Sequence, residues 1–550
     1  MTDDVDKLAE DYWAHHLSTH PTSGHLLGSY ADTGSFERAG REAEDADITA
    51  LHGFVQRAEA MDETGLDGAQ RLTRAVLMSD AQRRVGYLGQ RLAELGADPI
   101  FGTQVSMPIV AGMLALPTAE VAESLADKYR GLARNYREQA ERQREGLAHG
   151  RVSAAFAVED TADQIERILA TPVEDDPLLR TATPPSGLDV DAWQGRLREV
   201  LEHEVRPAMT HYHEVLREEV LPQARPDDKV GLCHVPGGEE AYAAALRYFT
   251  TTDKSAQEIH QLGLAVVARL AEEYRALGPE AVGTDDLERI FEAMRSDPAL
   301  HFTRGEELVQ ASEEAMRRAW DAMPDWFEVL PQAPCAVQGT ETGAKAFYFP
   351  PAADGSRGGT FFINVADPES WGTFELESMA FHEGIPGHHL QLAISSELTG
   401  LPEFRRHIHN SAYAEGWGLY TERLADEMGL YSGPVDRMGM LAADSMRACR
   451  LVVDTGMHAL GWSRQQAVDY MVANSPLRAS MCRPEVDRYA VTPGQACSYM
   501  VGRVEIERMR AEAEHRQGSS FDVRGFHSAV LDSGALPLDV LDDVVRARLP

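Results

Sequence analysis

The segment His382-Glu383-Gly384-Ile385-Pro386-Gly387-His388-His389 constrains this chain more than any other. It lies in a stretch whose periodicity predicts a helix starting near Glu375. Pro386 has no N–H to bond the carbonyl of His382, and its ring crowds that turn. Gly387 loosens the backbone further. A regular helix therefore cannot continue, and a kink or bulge is predicted at Ile385-Pro386-Gly387. On an unbroken helix His389 would share the face of His382 but lie roughly 10 Å along the axis, and His388 would sit about 120° off that face. A bulge that absorbs two residues moves His388 to where the second His of an H-E-x-x-H site stands.

That placement points to metal chemistry. Zinc hydrolases need imidazole or carboxylate ligands, an open position for water and a nearby general base. His382 and Glu383 supply the first two positions of H-E-x-x-H. His388 is the expected second ligand, with His389 as the alternative. Glu415, in Ser411-Ala412-Tyr413-Ala414-Glu415-Gly416-Trp417-Gly418, is the expected third. Gly416 and Gly418 leave room beside it for a close neighbour. Glu422, two turns on, is either the ligand instead or a partner that orients a histidine. A His-Glu pair alone is commonplace in a chain with 20 His. His15-His16, and His211 with His213, are expected to be ordinary helix-face or core residues.

Helical periodicity dominates elsewhere. It is clear over Asp47–Leu95, Thr118–His149, Trp193–Leu221 and Ser255–Leu277, where Ile259, Leu262, Val266 and Leu270 share a face. Gly237-Gly238 breaks the pattern before another helix start. The Pro- and Asp-rich stretch 171–190 is the expected linker, which divides the chain into an N-terminal helical part, 1–180, and a catalytic part, 181–550. Residues 334–365 change texture, and Gly359–Val365 is rich in β-branched and aromatic side chains, as in a strand. That strand is expected to take a peptide by β-addition. The metal helices are expected over 375–430. The fold class is mainly α, with one small β-sheet before the metal-binding helix.

The 550 residues carry a formal net charge of −36, with no run of clustered Lys and Arg. Such a surface repels phosphate backbones and anionic lipid, so nucleic acid and membrane are excluded as partners. The five cysteines, Cys233, Cys335, Cys449, Cys482 and Cys497, form no C-x-x-C pair, which argues against a thiolate metal site and a disulfide framework. The acidic start MTDDVDKLAEDYW lacks an apolar signal core, and no apolar run reaches eighteen residues. A cytoplasmic protein is expected.

Four ordered motifs, HEGIPGHHLQ, AYAEGWGLYTERL, RLVVDTGMHALGWSRQQA and RYAVTPGQACSYMVGR, resemble a large bacterial family known as domain of unknown function 885, grouped with the zincin metallopeptidases. The resemblance implies a helical zincin or gluzincin fold, similar to thimet oligopeptidase, with catalytic helices lining a deep channel. It aligns Gly387-His388 with the Gly-His of H-E-x-G-H, favouring His388, and makes Glu415 a gluzincin-type third ligand to Zn2+.

The expected reaction is hydrolysis of an amide in a short peptide or small aminoacyl compound. Glu383 is the expected general base. Tyr499, Tyr489 and His389 are candidate oxyanion donors or substrate contacts, and Arg488 a candidate grip for a substrate carboxylate. Arg450, Asp454 and His458, at i, i+4 and i+8, are expected to form a salt-bridged ladder. Two other classes fit the same residues: a small-molecule tailoring enzyme that makes or breaks a C–N bond, and a non-catalytic binding protein. The intact Glu383 argues against the latter. A homodimer is compatible with the sequence.

Overall fold

The apolar periodicity folds as helices almost throughout, and the single β-like stretch folds as a three-stranded sheet. The structure, a computed structural model, describes residues 4–341, 343–351 and 357–550. Positions 342 and 352–356, inside the predicted β region, lie outside the described residues. No helix among the described residues is long and apolar enough to cross a membrane.

Contacts group the chain into two units. The first comprises Met1–Gln70, Asp80–Ala244 and Leu460–Gln465. Its long central helix, Ala119–Ala148, starts where Thr118 caps the backbone N–H of Val121. Val121, Leu125, Tyr129, Leu132 and Tyr136 recur at three- and four-residue steps and are buried together with Trp193, Leu197 and Tyr212. Inside this core Trp193 Nε1 donates to the Ala122 carbonyl at 2.7 Å. The 171–190 stretch belongs inside this unit. Leu178 is buried, its carbonyl accepts from Tyr129, and Asp176 pairs with Arg206 at 2.9 Å. The division by contacts falls instead between Ala244 and Ala245.

The second unit comprises Arg71–Ser79, Ala245–Ala459 and Gln466–Pro550. Ser255 and Glu258 form a capping box that starts the helix Ala256–Ala281. Its apolar face packs on the helix Pro434–His458, and a Cβ at Gly263 would lie 2.7 Å from Val452. Pro434–His458 is buried on nearly every side from Met438 onward, as a central core helix must be. An ion cluster joins three helices here: the fully buried Asp444 accepts from both the buried Arg503 and the half-buried Arg423.

The sheet runs in the order β1-β3-β2, with β1 Cys335–Thr340, β2 Ala346–Phe349 and β3 Gly359–Asn364. β3 pairs parallel with β1 and antiparallel with β2. Phe361 and Ile363 of β3 are fully buried. β3 is thus the central strand, with neighbours on both sides. The expectation that it takes a peptide by β-addition is corrected, because its ladder groups are already used. β2 is the edge strand beside the site described next.

Candidate metal centre

The predicted helix interruption is complete rather than a bulge. One helix, Glu375–Glu383, ends after the His-Glu pair, and a second, His388–Glu397, begins at the next histidine. The turn Gly384–Gly387 lies between them, with a cis Ile385-Pro386 bond. The turn is tightly held. Trp417 Nε1 donates to the Pro386 carbonyl at 3.0 Å, and the His389 amide donates to the Gly384 carbonyl at 3.1 Å. A Cβ at Gly387 would lie 1.9 Å from the His382 carbonyl oxygen, so only glycine permits this return of the chain.

The turn carries His388 beside His382, with ring centroids 4.7 Å apart. The helix Ser411–Glu427 brings Glu415 to both: its Oε2 lies 3.6 Å from His382 Nε2 and 3.5 Å from His388 Nε2. One ligand-type atom from each of the three lies within 4.8 Å of the others. Close approach depends on two glycines of that helix. A Cβ at Gly418 would lie 2.7 Å from His382 Cε1, and one at Gly416 would lie 2.5 Å from the Gly502 backbone.

A second layer fixes the first imidazole. His382 Nδ1 donates to Glu422 Oε1 at 2.8 Å, and Ser378 Oγ donates to Glu422 Oε2 at 2.6 Å. The Nε2 of His382 is thereby directed toward Glu415. Glu422 takes the orienting position, not that of a ligand. Burial by itself lowers the pKa of His382, but Glu415 and Glu422 outweigh it and raise it to about 9. Burial likewise raises the Glu415 carboxyl, yet the two imidazoles hold it well below its usual range. The pocket is built for positive charge, carried by a proton or by a metal cation. Two imidazole nitrogens and one carboxylate oxygen are a donor set that suits zinc. His388 Nδ1 is buried without a hydrogen-bond partner among the described residues.

These groups form one wall of a cavity of about 660 Å³. Glu383 lines it beside the triad. Tyr499 lines it too, with its pKa pushed up to about 12 by burial and then by the Glu415 charge. Met379, Leu392, Met446, Leu477, Met481 and Phe347 give it apolar surface, and β2 with the residues leading into it, 344–348, forms a side. Size and mixed lining suit a small-molecule or short-peptide ligand.

Three predicted contacts fall elsewhere. His389 points away from the triad: its Nε2 meets the Ala333 carbonyl at 3.0 Å and its Nδ1 the Tyr348 hydroxyl at 2.9 Å. Burial lowers its pKa to about 4. It is a neutral imidazole that ties the second short helix to the sheet. Tyr489 is fully buried, donating to Glu485 Oε2 at 2.5 Å and accepting from Arg450 Nε at 2.9 Å. Arg488 is committed to Gln495 at 2.6 Å and Glu485 at 3.0 Å. The three residues of the expected ladder also make contacts with other elements. Arg450 reaches Glu485 at 2.9 Å, Asp454 accepts from the Gly494 amide at 3.1 Å, and His458 Nε2 meets the Tyr489 carbonyl at 2.9 Å.

Sequence reasoning missed Arg447 and His409 on the cavity wall. For Arg447 a signal exists: two arginines three residues apart in the otherwise apolar run Ala448–Val453 and its approach. Charges on a core helix face must meet a polar partner or a cavity.

Two solved structures share this fold. A solved structure described as a "putative lipoprotein" from Colwellia psychrerythraea is similar with a TM-score of 0.91 and 24% identity, covering 99% of each chain. A second, a "putative lipoprotein of unknown function" from Shewanella oneidensis, has a TM-score of 0.78 and 16% identity over 98% of this chain and 99% of that one. At these identities the likeness is one of fold. No curated protein matches the chain. The model of a family described as "Bacterial protein of unknown function (DUF885)" matches residues 21–545, and the chain belongs to that family.

Proposed function

We propose that this chain is a zinc-dependent hydrolase that cleaves an amide bond in a short peptide or small aminoacyl compound. The observation that carries the reading is the convergence of His382, His388 and Glu415 on the wall of a cavity that Glu383 also lines. Two histidines on either side of a helix break and a glutamate from a third helix resemble the ligand set of a gluzincin. A zincin fold with a thimet oligopeptidase-like channel is part of the same proposal.

A zinc ion held by these three side chains would polarise the scissile carbonyl and acidify water. Glu383 takes the proton from the attacking water and delivers it to the departing amine. Tyr499 presents the neutral hydroxyl of a phenol whose pKa is pushed up to about 12, a hydrogen-bond donor for the developing oxyanion. Glu422 keeps His382 in one tautomer throughout. The free edge of β2 aligns an extended substrate along the cavity.

The test is hydrolysis of a panel of N-acyl amino acids and di- and tripeptides by the zinc-loaded protein. Cleavage should stop with a chelator and return with zinc. Glu383→Gln should lower kcat by about 100-fold or more while the metal stays bound. Cleavage that survives both the chelator and Glu383→Gln would contradict the reading.

A further inference from the structure

One wall of the cavity carries two buried arginines. Arg447 and Arg450 lie three residues apart on the helix Pro434–His458 and both line the cavity. Residue exposure is 8% for Arg447 and 5% for Arg450. Arg450 donates Nε to Tyr489 and Nη2 to Glu485, and its guanidinium lies 4.4 Å from the ring centroid of Tyr499. Its Nη1 is buried without a hydrogen-bond partner among the described residues. Arg447 contacts its own helix through Nη1 to the Ala443 carbonyl at 3.3 Å, and Nη2 lies 3.7 Å from Glu422. Its Nε is likewise buried and unpartnered among the described residues.

The carboxylates nearest the two arginines are shared with other partners. Glu485 is shared among Arg450, Arg488 and Tyr489. Glu422 is occupied by His382 and Ser378. Glu375 pairs with Lys345 at 2.6 Å. Glu383 and Glu415 belong to the triad's side of the cavity. One buried guanidinium nitrogen left unpartnered on each of two arginines beside the same cavity is costly unless an anion draws the side chains to it.

We infer that Arg447 and Arg450 form a carboxylate-binding subsite, so the substrate is an acyl amino acid or short peptide with a free carboxyl end. This rests on the hydrolase reading and specifies its substrate class. The arginines stand close to the triad: Arg447 touches Glu422, which holds His382. An extended residue spans only about 3.5 Å. The bond cleaved is therefore within one or two residues of the free carboxylate, which makes the action an exo-cleavage. Planar guanidinium groups favour a carboxylate over an uncharged amide of the same size.

The test is calorimetric titration of metal-free protein with N-benzoyl-glycyl-L-phenylalanine and with its C-terminal amide. The carboxylate should bind about 10- to 100-fold more tightly. Arg450→Gln and Arg447→Gln should each remove most of that preference, and Arg450→Lys should keep part of it. Equal binding of the two probes to the wild type, or binding of neither, overturns the inference without reliance on any variant. Zinc content measured after the same preparations are reloaded with zinc separates the two ideas. Protein that holds zinc but shows no carboxylate preference sinks the subsite alone. Protein that prefers the carboxylate but never holds zinc sinks the hydrolase reading alone.

Discussion

Glu422 Oε1 accepts a hydrogen bond from His382 Nδ1 at 2.8 Å, and neither side chain reaches solvent. A carboxylate in this position fixes the ring and raises its basicity toward a cation on the other nitrogen. Glu422→Gln is therefore expected to weaken zinc binding about 10- to 100-fold. Competition with a chromophoric chelator measures this. Unchanged affinity would remove Glu422 from the centre.

Gly418 and Gly416 are predicted to fail differently. A methyl group at Gly418 meets the His382 ring, so Gly418→Ala should displace the imidazole and lower zinc affinity. A methyl group at Gly416 meets the backbone of Gly502 on the neighbouring helix. Gly416→Ala should cost about 1–3 kcal/mol of stability through overpacking. Thermal melts and zinc titrations of both variants check the distinction.

The raised pKa of His382, about 9, sets a pH dependence. In the unfolded chain a histidine titrates near 6.5. The protonated His382 thus stabilises metal-free protein fully below pH 6.5, and this contribution is lost as the pH rises through about 9. Urea unfolding of metal-free wild type and His382→Gln should show their difference narrowing over that window. Zinc must displace the same proton, so its affinity should rise by about tenfold per pH unit between pH 7 and 9. Isothermal titration in two buffers of different ionisation enthalpy reads the released proton directly.

Asp444 is fully buried between Arg423 and Arg503. Asp444→Asn leaves buried guanidinium charge without its counter-ion and is expected to destabilise the protein by about 3–5 kcal/mol. Denaturant unfolding measures it. A loss below about 1 kcal/mol would mean that the cluster is compensated by other groups.

Local rules made much of this molecule readable. Pro386 and Gly387 forbid a continuous helix, and that single prohibition puts His388 rather than the i+4 residue beside His382. Gly416 and Gly418 announce close packing around Glu415. The β-branched and aromatic run at 359–364 is a strand for the reason expected. What local rules do not carry is the partner across the gap. Periodicity puts Arg450, Asp454 and His458 on related faces, yet each side chain answers to the helix Ala479–Val491 or the turn after it. His389 follows His388 directly but turns to the sheet, because consecutive helix residues diverge by about 100°. Arg488 and Tyr489 were legible as polar groups near the site, but the carboxylate that claims both, Glu485, is set by tertiary packing. The edge position of β2 depends on strand order, which no single strand encodes.

Metal stoichiometry tests the proposed centre most directly. Purified wild type, His382→Ala, Glu415→Ala and Glu383→Gln should be dialysed against trace zinc and analysed by inductively coupled plasma mass spectrometry. Wild type and Glu383→Gln are predicted to hold about one zinc per chain, and the other two variants almost none. Full occupancy in both His382→Ala and Glu415→Ala, or no zinc in any of the four, would contradict it.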